Sequence, residues 1–120
     1  MNNEQNDSFG VRIPAPSEID EYAQAHHANL FFEFASFAIQ SRRPLRCWRT
    51  LRALLWIAKG RESFVTGVGR IMAISRQCRR SVQLALNCLD EDGWITRQQR
   101  RQKHGYWWTE SRYKIRHFES

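Results

Sequence analysis

The chain has 120 residues, which fits one domain with an extension and leaves little room for a second catalytic or effector domain. Its net charge of +7 is unevenly divided: residues 1–41 carry one basic side chain (Arg12) against six acidic ones (Glu4, Asp7, Glu18, Asp20, Glu21, Glu33), and residues 42–120 carry the other 18 basic and 6 acidic ones. Such a basic surplus attracts polyanions, nucleic acid foremost; the polar, acidic start and the lack of an apolar run near the ~20 residues that span a bilayer argue against a leader or a membrane span.

Residues 1–16 read as a polar arm, with Pro14 and Pro16 near its end. Ser17 has the residue type of a helix N-cap, and Asp20 supplies the weaker form of a capping box. The pattern therefore predicts one long N-terminal helix within residues 17–41. Its first half is amphipathic, with Ile19, Tyr22 and Ala23 on one side, and its second half, NLFFEFASFAI, is apolar nearly all round. A helix of that kind must be covered on more than one face. Its own domain covers one; the expectation is that a second copy of the chain covers Phe31, Phe34 and Phe37, giving a homodimer. The alternative is a helix wrapped entirely by its own domain. His26-His27 reads as a surface or interface pair rather than as ligands.

A domain over residues 44–117 follows SRRPLR, where Pro44 ends the first helix and suits the first turn of the next. Trp48, Leu51, Leu55 and Ala58 recur at helical spacing between about Leu45 and Lys59 and should face the core, with Gly60 as the stop. Arg46, Arg49 and Arg52 form a row on another side, either a phosphate-contacting face or solvated charge. Phe64 and Val65 supply a short strand. Thr66 caps a short helix over residues 67–73, and Ser75 is a second cap signal, opening a helix from Arg76 to about Glu91 that stops at Gly93. Trp94 to Arg101 and Tyr106 to Arg116 read as strands around a hairpin tip at Lys103-His104-Gly105.

In the helix from Arg76, Val82, Ala85, Leu86 and Leu89 repeat at i, i+3, i+4 and i+7, so one face is buried. Left outside are Arg76, Gln77, Arg79, Arg80, Gln83, Leu84 and Asn87. These are base-reading chemistries: arginine bridges guanine O6 and N7, glutamine or asparagine bridges adenine N6 and N7, and an apolar group meets a thymine methyl. The bland alternative for Arg79 and Arg80 is solvated surface charge. Asp90, Glu91 and Asp92 gather at the far end, where carboxylates oppose the helix dipole; they read as a solvated end held away from phosphates. Arg97, Arg100, Arg101 and Lys103 on the hairpin suit a path along the DNA backbone or into the minor groove. Strand alternation puts Trp107 with Tyr113 and Ile115 toward the core. It puts Trp108 with Arg112 and Lys114 outside, as a partner contact or as cover for its own hairpin. Bases stacked on these aromatics would instead imply a single-stranded target.

The order helix, short strand, short helix, turn, helix, hairpin resembles the winged helix-turn-helix arrangement. V-G-R-I-M-A-I-S, residues 68–75, looks like the first helix and turn of bacterial helix-turn-helix domains, with Val68 and Gly69 at buried positions, Ala73 at the small turn position, Ile74 at the buried turn position and Ser75 at the cap. Residues 81–95, S-V-Q-L-A-L-N-C-L-D-E-D-G-W-I, resemble the recognition helix and first wing strand of the GntR and MarR groups. S-R-Y-K-I, residues 111–115, resembles the closing wing strand of small phage and plasmid replication or regulatory proteins. The interval from Ser75 to Ser81 is about a turn longer than in those domains, which predicts a helix that starts early. The resemblance covers about residues 45–116 and implies a winged helix-turn-helix; with the N-terminal pattern, the expected fold is mostly α-helical with a small β-hairpin wing, a winged helix-turn-helix preceded by a long N-terminal helix. The resemblance also implies a transcriptional regulator that binds double-stranded DNA, expected with the readings above to be a homodimer and cytoplasmic, nucleoid-associated through that binding. Two alternatives stand beside it: DNA binding in plasmid or phage replication or partition, and a non-catalytic protein-interaction adaptor using the hairpin and Trp108.

Other chemistries lack their residue sets. Gly67-x-Gly69 has none of the rest of a phosphate-binding loop, and the carboxylates lie at helix ends rather than converging as a metal nuclease requires. Cys47, Cys78 and Cys88 form no C-x-x-C pair and fit free thiols in a reducing compartment. No catalytic residue, metal, cofactor or small-molecule ligand is expected.

Overall fold

Apolar periodicity and a few chain-breaking positions lay out the fold. The computed structural model describes residues 5–6, 12–99 and 110–116. A two-strand ladder of β1 (Gln5–Asn6) and β2 (Arg12–Ile13) precedes α1 (Pro16–His26) and α2 (Ala28–Gln40). Then come α3 (Leu45–Ala58), β3 (Ser63–Gly67), α4 (Val68–Ser75), α5 (Arg79–Glu91), β4 (Ile95–Gln99) and β5 (Glu110–Ile115). The described chain is thus mostly helical, with a small antiparallel sheet of order β3-β5-β4. Tyr113 of β5 lies between Phe64 of β3 and Arg97 of β4, which fixes the register across all three strands.

Helix α3 is the centre of the fold and packs against α1, α4 and α5. Its Leu51, Leu54 and Leu55 are fully buried beside Ile19, Ile71, Val82 and Leu86. The sheet closes the same core with Ile95, Tyr113 and Ile115. Each such aliphatic side chain contributes roughly 1.5–3 kcal/mol on burial. Lys59 adopts a left-handed conformation as the C-cap of α3, and Gly60 follows at φ +85°, in line with the expected stop.

The N-terminal part departs from the expected single helix. His27, at φ −139° and ψ 42°, interrupts it and is buried; the Phe31 amide bonds to the His27 carbonyl as the second helix starts. Pro16 opens α1 after an extended Ala15, so the first-turn proline, and not a cap at Ser17, marks its beginning.

The break lets α2 turn an aromatic face onto its own chain. Phe34 is 2% exposed and stacks on Trp48 at 5.8 Å with its edge contact to Trp94 at 5.3 Å. Phe37 lies on Trp94 at 5.5 Å and under the Arg43 guanidinium. Phe31 meets Trp48 edge-on at 4.9 Å. The three phenylalanines expected at a dimer contact are therefore engaged within the chain, Phe34 wholly so. The physical reason is that Trp48 and Trp94, brought in by α3 and by the segment before β4, offer the nearest apolar cover.

Arg43, in the link between α2 and α3, donates from Nε and Nη2 to both carboxylate oxygens of Asp92 at 2.9 and 2.8 Å. Asp92 is the C-cap of α5. It is consequently an ion-pair anchor, not part of a solvated helix end, and the pair holds Arg43 even more firmly protonated than usual.

Candidate nucleic-acid interface

Helix α4 starts directly from β3. Gly67, extended, is its N-cap, and Thr66 is a buried strand residue and not a cap. Val68 is half-buried, and Gly69 is exposed with open space where a Cβ would sit, unlike the buried position the resemblance implied. Ile71 and Ile74 are buried. Ser75 is the last, buried residue of α4 and caps nothing.

The turn that follows spans residues 76–78. Arg76 closes α4 in a left-handed conformation at φ 56°, its amide bonding to the Met72 carbonyl. Its guanidinium reaches the Pro14 carbonyl at 3.3 Å. The Gln77 amide also bonds to Met72, and its side chain donates to the Thr50 hydroxyl on α3 at 2.8 Å. Both residues thus belong to the turn and not to the following helix. The long interval from Ser75 to Ser81 is absorbed by this turn rather than by an early helix start. Ile13 of β2 borders a shallow hollow with Met72 and Arg76, so the end of the arm lies beside the turn.

Cys78, extended at φ −74° and ψ 164°, is the N-cap of α5. Its thiol bonds to the Ser81 hydroxyl at 3.4 Å. Hydrogen bonds from the Ser81 side chain, and then from its backbone amide, pull the Cys78 thiol below the ordinary cysteine range. Cysteine is not among the usual capping residues, so nothing in the sequence marks this position. The other two thiols behave oppositely: burial first, then the neighbouring Cys88, pushes Cys47 up to about 12, and burial raises Cys88 as well.

From Arg79 the helix behaves as its periodicity requires. Val82, Ala85, Leu86 and Leu89 are buried. Arg79, Arg80, Gln83 and Asn87 are exposed, and Leu84 is 42% exposed. These five share the outward side over roughly the first two and a half turns. The helix ends where expected: Gly93 takes φ +82° and the Trp94 amide bonds back to the Leu89 carbonyl, a closing pattern that satisfies the last orphan carbonyls.

Strand β4 adds one cation to this face. Arg97 donates from Nη2 to Oδ1 of Asn87 at 2.9 Å. Arg100, Arg101 and Lys103 lie outside the described residues, as do Tyr106, Trp107 and Trp108. Of the row on α3, Arg49 is exposed and Arg46 half-buried, while Arg52 pairs with Asp20 of α1 at 2.7 Å. That last arginine serves the α1–α3 contact. Among the described residues no group of His, Cys, Asp and Glu could hold a metal ion, and no helix is long and apolar enough to cross a membrane.

The face therefore combines guanidinium and amide donors, an apolar side chain and positive charge on one helix, with Arg97 of β4 beside it. Comparisons with family models, with curated proteins and with solved structures found no match.

Proposed function

We propose that this chain is a sequence-specific double-stranded DNA-binding protein of the winged helix-turn-helix type, acting as a dimeric transcriptional regulator. One observation carries the reading: α5 buries Val82, Ala85, Leu86 and Leu89 and presents Arg79, Arg80, Gln83, Leu84 and Asn87 on its outward side. The major groove, about 12 Å wide, accepts one α-helix, and helix-turn-helix proteins contact base edges with the first turns of such a helix. Arg79 and Arg80 occupy those turns and match guanine, Gln83 and Asn87 match adenine or other acceptor edges, and Leu84 matches a thymine methyl. Arg97, tied to Asn87, extends the basic surface onto β4, where a phosphate contact would fix the register of the helix in the groove. The positive end of the α5 dipole, at its start, also favours an anionic neighbour.

Selection of bound sequences from random duplex DNA, followed by a salt titration of the winner, tests the proposal. The expected result is one enriched motif whose affinity falls steeply and linearly on a logarithmic salt scale. A pool that stays random, or binding indifferent to salt, would overturn it.

A further inference from the structure

We infer that the outer stripe of α2 is the contact surface for a second copy of this chain, laid antiparallel across a two-fold axis near Ala35. The inference gives the dimer of the DNA-binding reading a surface, and it uses no residue of α5.

The stripe follows from the aromatic packing already described. With Phe34 turned inward, Phe32 and Ile39 are left 66% and 79% exposed. Ala28, Phe32, Ala35 and Ile39 succeed one another in steps of four, three and four residues, the spacing of a helix–helix seam. Large apolar groups so exposed on one face of a small chain mark an interaction site.

The stripe is complementary to itself. At its N-terminal end a hollow of about 330 Å³ opens between Gln24, Ala28, Phe31 and Phe32. At its C-terminal end Ile39 projects as a knob. The α2 residues of the hollow and the knob are about two and a half turns apart. A two-fold axis midway between them passes near Ala35, whose small side chain lets two helices approach closely. The same operation seats each Ile39 in the other copy's hollow, as an isologous interface requires.

Sedimentation equilibrium of the full chain, without DNA, tests the inference, and its readout stands apart from the reading of α5. The wild type should sediment at twice the chain mass of 14.3 kDa at micromolar concentration. Ile39→Glu, at an exposed position, should give a monomer with an unchanged circular dichroism spectrum. A monomeric wild type, or a dimer that survives both Ile39→Glu and Phe32→Glu, would overturn it.

Discussion

Arg97 on β4 and Asn87 on α5 are joined by a 2.9 Å hydrogen bond from the guanidinium to the side-chain carbonyl, so a strand cation and a helix amide act as one unit. The bond occupies Asn87 on its acceptor side and leaves its amide N–H groups to face acceptors such as adenine or guanine N7. Asn87→Ala should cost about 1–3 kcal/mol at one base position. Arg97→Ala should weaken all duplexes alike and reduce the salt slope by about one. The two losses should fall short of additivity by about 0.5–3 kcal/mol in a double-mutant cycle; strict additivity in quantitative binding titrations would show the pair to be uncoupled on DNA.

Gln77 is expected to matter for stability and not for base preference. Its side chain is the partner of the Thr50 hydroxyl, which is fully buried on α3. Gln77→Ala leaves that hydroxyl unsatisfied and should cost about 1–3 kcal/mol in urea unfolding. The selected DNA motif should be the same as for the wild type.

Phe34 makes the analogous case in the N-terminal helices. Held between Trp48 and Trp94, it should cost about 3–5 kcal/mol when truncated to alanine. Thermal unfolding monitored by tryptophan fluorescence would register the loss. A stability like that of the wild type would place the side chain outside the core.

Cys78 gives a pH-dependent signature. Only the thiolate alkylates, and the hydrogen bonds from Ser81 favour it. The rate of iodoacetamide modification at Cys78 should therefore rise with pH through a midpoint below the ordinary cysteine value of 9.0. Buried Cys47, pushed up to about 12, should resist at the same pH. Mass spectrometry of the labelled peptides checks the order, and bound duplex DNA should slow modification at Cys78.

Much of α5 was legible because one pattern and one stop signal agree. Val82, Ala85, Leu86 and Leu89 define a buried side by spacing alone, and Gly93 supplies the conformation that ends the helix. The start of α5 was not legible, because a good capping residue, Ser75, is consumed inside α4 by burial, and the real N-cap is a cysteine. The residues of α2 posed a different difficulty. A segment apolar nearly all round gives no preferred side, so Phe34 and Phe32 are equivalent in sequence. Contacts with Trp48 and Trp94, far along the chain, decide between them. The interruption at His27 has neither glycine nor proline to announce it.

Placement of the outward side of α5 in the major groove can be read by methylation interference on the selected duplex. Methyl groups at guanine N7 project into the major groove, and those at adenine N3 into the minor groove. N7 methylation at one or two guanines should abolish binding of the wild type, and Arg79→Ala or Arg80→Ala should remove the dependence on one of them at a cost of about 1–3 kcal/mol. Interference confined to adenine N3, or a guanine pattern untouched by either substitution, would contradict it.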